Sequence, residues 1–189
     1  MPAGTIKSVN VTLLDASPKL MLEAGSAGGK MRVFTDTITL VAADTGDVGD
    51  RWVMAELPSN AKILSIKIYN DEIDSHATPT LAYDLGIYNG TIPFDNAGTA
   101  VAAGGVVDVD AYASALTAGA TSGLGQVNTI GEEVSFEARD IVDIGNFMWE
   151  DCGLTVDPNV PLRIAFTLTG TAATHADGDV TMVVTYIQE

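Results

Sequence analysis

The chain is poor in the residues that most often carry chemistry. It has one cysteine, Cys152, two histidines, and nine basic residues against 25 acidic ones in 189. A lone cysteine excludes an intrachain disulfide and a thiolate-held metal cluster. Set between Trp149 and Leu154, it reads as a buried structural residue. A net charge of −16 repels phosphate backbones and anionic lipid, so neither nucleic acid nor a membrane is an expected partner. It suits a protein kept soluble at high copy number, or one docking on a basic or cation-bridged partner. No apolar run approaches the roughly 20 residues needed to span a bilayer. The N-terminus lacks a basic segment leading into a long apolar one, which predicts synthesis and folding in a cytoplasm.

What is present favours strands. Apolar residues make up 47% of the chain, too many for a solvated coil, and much of that share is alanine and valine. Glycine, threonine and aspartate are frequent, a composition of β-branched strands and tight turns. The stretch Asp50–Tyr88 shows it best. Arg51–Leu57 closes on Leu57-Pro58-Ser59-Asn60. Lys62–Tyr69 then alternates, with Ile63, Ser65, Lys67 and Tyr69 on one side and Lys62, Leu64, Ile66 and Ile68 on the other. Leu81–Tyr88 supplies another strand ending in Asn89-Gly90. Further strands are expected at Val33–Ala42, Val106–Val109, Val134–Phe136, Leu162–Thr169 and Val180–Ile187, about eight in all. Asp110–Ala118, alanine-rich behind a capping aspartate, is expected to be helical. Asp140–Cys152 is read as a short helix or turn over one end of the sandwich. Residues 1–31, broken by Ser17-Pro18 and by Ala24–Gly29, form an N-terminal arm, and residues 32–189 the sandwich domain.

Motifs with chemical meaning fail on named residues. Gly25–Met31 approaches a phosphate-binding loop, but its first glycine is one place late and Met31 stands where a hydroxyl must meet magnesium. Asp44, Asp47 and Asp50 are spaced by three, unlike a calcium loop, and the pairs Asp108/Asp110 and Asp177/Asp179 read as turn and cap residues. His76 and His175 each sit in a polar loop beside a hydroxyl, with no sequence evidence of a base oriented on a nucleophile. No cofactor and no enzymatic activity are expected. Tyr83 and Tyr88, five apart, fall on opposite faces of a regular strand. A glycan-binding reading through Tyr83, Tyr88 or neighbouring loops is the alternative, as a carbohydrate-binding module or a virion fibre.

The order Thr37–Leu40, Gly46–Asp50, Leu57-Pro58-Ser59-Asn60-Ala61-Lys62-Ile63-Leu64 and Leu81–Tyr88 resembles small virion structural proteins of tailed bacteriophages. Met148–Leu154 and the closing Gly178–Tyr186 strand add to the likeness. The resemblance covers about Arg32 to Glu189. It implies an all-β, jelly-roll-like antiparallel sandwich with one or two short helices and an extended arm. It further implies a decoration or cement protein on the outside of the capsid, a major capsid protein as partner, and self-association as a trimer. The arm (Val9–Leu22) is expected to make shell or subunit contacts, with Val11, Leu13 and Leu14 as its apolar anchors.

Overall fold

A computed structural model describes residues 30–42, 47–89, 106–117 and 127–188. The eight strands described are β1 (Lys30–Leu40), β2 (Arg51–Leu57), β3 (Ala61–Asn70), β4 (Ala82–Asn89), β5 (Val106–Thr117), β6 (Asn128–Glu133), β7 (Leu162–Gly170) and β8 (Gly178–Gln188). They pair into two four-stranded antiparallel sheets, ordered β1-β8-β3-β6 and β2-β7-β4-β5. Each strand of the first half therefore lies beside its mirror in the second: 1 with 8, 2 with 7, 3 with 6, 4 with 5. That is the all-β, jelly-roll-like sandwich expected. The arm, with Val11, Leu13 and Leu14, lies outside the described residues, as do Asp44 and Gly25–Gly29.

Alternation drives the two sheets together. On β8, Val180, Met182, Val184 and Tyr186 are buried while the residues between them are half-exposed. They lie beside Ile63, Ile66 and Ile68 of neighbouring β3, in one cluster with Trp52, Met54 and Leu57 of β2 and Ile164, Phe166 and Leu168 of β7 from the other sheet. Phe166 sits at the centre, edge-on to Trp52 at 6.0 Å and to Tyr83 at 5.0 Å between ring centroids. The strict alternation expected of β3 breaks once. A bulge between Ile63 and Ser65 sends Ile63 inward with Ile66 and Ile68, so Ile63 is buried rather than grouped with Ser65.

The expected helix at Asp110–Ala118 does not form; its described part belongs to β5. Leu85 pairs with Ala113 but Ile87 with Asp108, so two steps along β4 span five along β5. Residues 109–112 bulge outward over Gly86, whose missing side chain leaves them room: a Cβ there would stand 2.2 Å from the carbonyl oxygens of Asp108 and Val109. Burying Tyr112 and Ala113 in the sheet overrides the local helical preference. The strand expected at Val134–Phe136 is displaced to Asn128–Glu133.

Asp140–Cys152 behaves as expected. A 3-10 turn, Ile141–Gly145, leads into one turn of helix, α1 (Met148–Asp151), and both contact β3 at one end of the sandwich.

Candidate interaction surface

The end of the sandwich carrying the 3-10 turn and α1 is held by one buried ion pair. Arg139 Nη2 lies 3.0 Å from Asp151 Oδ1, with the two side chains 2% and 0% exposed. The guanidinium also donates to the carbonyls of Ile63 (2.8 Å) and Asp143 (2.6 Å), tying β3 to the turn. Tyr112, delivered by the β5 bulge, donates its hydroxyl to Asp151 Oδ2 at 3.3 Å. Local caps finish the segment: Asp140 accepts from the Val142 N–H and Glu150 from the Phe147 N–H. Lys62 Nζ stands 4.3 Å from the Phe147 ring centroid, and the Trp149 N–H reaches the Ser59 carbonyl.

Beside this clamp the β5 bulge and the turn line an open cleft. Asp108, Asp110, Asp140, Asp143, Glu150 and Asp151 contribute carboxylates to it, and Arg139 is the one basic residue in its described wall. Burial raises the Asp108 carboxyl above its ordinary value; the Asp110 N–H works against the rise and the Asp110 carboxylate adds to it. Burial raises Asp151 further, to about 7. Arg139 and Tyr112 pull against that rise, and Asp143 reinforces it. A carboxyl raised in the folded state holds its proton where the unfolded chain has lost it. This contribution to stability is therefore complete below about pH 4 and declines as pH climbs through about 7. The thermal midpoint should accordingly fall by several degrees between pH 5 and pH 8, and Asp151→Asn should remove most of that slope; an unchanged slope in calorimetry would refute the assignment.

The turn also carries an apolar knob. Ile141 is 80% exposed, Val142 77% and Ile144 45%.

Other residues singled out in the sequence have structural roles. The loops of His76 and His175 do meet, through a bridge between Asp74 and His175. Asp74 is fully buried, and its carboxylate accepts from the N–H groups of His76, Thr80, Leu81, Ala173 and Thr174 at 2.8–3.3 Å. Through these backbone donors it pins two loops together. Asp177 accepts from the Ala42 N–H, and Asp179 from the Thr39 hydroxyl. Cys152 is buried against the carbonyls of Met148 and Trp149, and burial pushes its thiol up to about 11. Lys30 and Met31 open β1, so a strand and not a helix follows the glycine-rich run. Tyr83 and Tyr88 are both fully buried, which withdraws their rings from any sugar. Tyr88 bonds to the Thr167 hydroxyl beneath the Arg51 guanidinium. Among the described residues, no three His, Cys, Asp or Glu side chains are placed to hold a metal, and no helix is long and apolar enough to cross a membrane.

Of this surface the sequence showed only the segment Asp140–Cys152. The pairing of its acids with Asp108 and Asp110 needed the fold.

No protein-family model matches the chain, and no curated protein resembles it in sequence. Solved structures do. A chain of the capsid asymmetric unit of cyanophage Pam1 is 20% identical, with a TM-score of 0.55, and each chain covers all of the other. A chain of the capsid of Ralstonia phage GP4 is 17% identical, with a TM-score of 0.57, covering 90% of this chain and 92% of that one. At these identities the likeness is one of fold.

Proposed function

We propose that the chain is a structural component of a phage virion that binds the outside of the capsid at subunit junctions and stabilises the shell. The observation that carries this reading is the end-to-end match to chains of two phage capsids, at 100% and 90% of this chain. The likeness in fold runs along all or nine-tenths of this chain rather than one short stretch of it. The major capsid protein is the partner, and the protein acts as a homotrimer. The fold suits this role, because a rigid sandwich presents loops and an arm, and many modest contacts repeated by symmetry supply affinity without a catalytic group. The acidic surface keeps a multi-copy protein soluble.

Adding the purified protein to capsids that lack it should give saturable co-sedimentation and a raised temperature of DNA release. Capsids that neither bind it nor gain stability would overturn the reading. Within it, the arm adds a strand to a neighbour's sheet edge, anchored by Val11, Leu13 and Leu14. Deleting the residues before Met31 should leave thermal unfolding of the sandwich nearly unchanged while abolishing trimer formation or capsid binding. A truncated protein that decorates capsids normally would remove the arm from the account.

A further inference from the structure

We infer that the turn Ile141–Gly145, with the acid-lined cleft beside it, is a docking surface for a basic segment of a protein partner. The inference rests on the capsid reading and names the surface by which the chain meets the shell.

The fold does not need the knob. Ile141 and Val142 are among the most exposed aliphatic side chains described, and Ile144, also exposed, follows two positions later. The turn is held by other means: the Asp140 cap, the Arg139 bonds to the Asp143 and Ile63 carbonyls, and the Asp143–Asn146 side-chain bond. Three aliphatic groups left in water on an otherwise well-anchored turn mark a contact surface.

Charge identifies the occupant. Asp140 and Asp143 flank the apolar residues on the same turn, and Asp108, Asp110 and Glu150 line the same cleft. An apolar knob with an acidic rim on its cleft side complements a partner bearing lysine or arginine beside an apolar socket. A second copy of this chain is the poorer occupant, since it would bring a net charge of −16 toward the same rim.

The surface is also preorganised. The buried Arg139–Asp151 pair and the Tyr112 hydroxyl fix the turn to β3 and β5 before any partner arrives, so docking orders little additional chain. A patch of three side chains is small, and its effect is multiplied by the copies on a particle.

The test uses the full chain and purified capsids lacking it. The double substitution Ile141→Ser/Val142→Ser removes the knob, and Asp110→Lys reverses one rim charge. Both alter exposed or half-exposed positions, and unchanged thermal unfolding verifies folding. Wild-type binding is expected to weaken steeply with added salt, and each variant to lose about tenfold or more in apparent affinity. Asp110→Lys should also show a shallower salt dependence. If the wild type binds and both variants bind within about twofold of it, the docking surface is refuted while the capsid reading stands. A change of oligomeric state with capsid binding intact would assign the surface to a second copy and refute it equally. If the wild type binds no capsid under any condition, the capsid reading fails and takes this inference with it.

Discussion

Replacing Asp74 with alanine is expected to destabilise the protein by about 4 kcal/mol, read from equilibrium urea unfolding at neutral pH. Five backbone N–H groups share its two oxygens: His76 and Thr174 on one, Thr80, Leu81 and Ala173 on the other. Removing the acceptor orphans all five. Each buried orphan costs about 1–3 kcal/mol, but the loops lie near the surface and water recovers part of the loss. A second signature separates this from a simple packing defect. Burial works to raise the Asp74 carboxyl, yet the four strongest backbone donors outweigh it and hold it at about 2, against an ordinary 3.8. A depressed carboxyl stabilises the fold above its unfolded value and loses that contribution as pH falls toward the folded one. Between about pH 4 and pH 2 the native protein should therefore lose about 2 kcal/mol through this group. The alanine variant should lack that portion of the acid limb. A variant of native stability with the acid limb unchanged would show that Asp74 is not the pin.

Gly86→Ala is expected to cost at least about 3 kcal/mol and to distort the acidic cleft as well. Its Cβ would fall 2.2 Å from two carbonyl oxygens and 2.3 Å from the Val109 carbonyl carbon, all backbone atoms of the β5 bulge. A flexible side chain could swing away, but a strand hydrogen-bonded to β4 cannot. Relief requires moving residues 108–112, and with them Asp108, Asp110 and the Tyr112 hydroxyl that reaches Asp151. Lost stability should therefore come with a changed pH profile of stability near neutrality. Gly145→Ala, where a Cβ meets nothing within 4 Å, is the control and should stay within about 0.5 kcal/mol of native. Equal behaviour of the two variants would refute the account of the bulge.

The contrast between these glycines shows what could be read from the sequence. β2 is found at Arg51–Leu57 as expected, and β3, β4, β7 and β8 within two residues of their expected bounds, because period-two alternation and turn residues report local geometry directly. The later part of β5 reads locally as a helix because Ala111, Ala113 and Ala115 carry a helical preference, overruled by burial of Tyr112 and Ala113 in a sheet that Gly86, some 25 residues earlier, leaves room for. β6 escaped because it is an irregular edge strand. Gly131 has φ of 74° against the Tyr69 ring, Ile130 points to solvent, and no alternation survives. The acidic cleft was invisible for a related reason. Each of its acids reads alone as a turn or cap residue, which several of them are, and only the bulge brings Asp108 and Asp110 beside Asp140 and Asp143. Asp74 had no signal at all, since its five partners are backbone groups common to every sequence.

The pairing of β1 with β8 bears on how the protein is made. Lys30 is matched with Gln188 and Leu40 with Gly178, and β8 is the strand beside β1 in its sheet. On a ribosome adding about 5–20 residues per second, β1 emerges roughly seven to thirty seconds before the strand it must bind. Among the described strands, β1 cannot pair until β8 has been made. The β1 edge of that sheet therefore closes only on chains translated through Gln188. Products stalled before β8 would leave β1 without its partner strand and open to proteases.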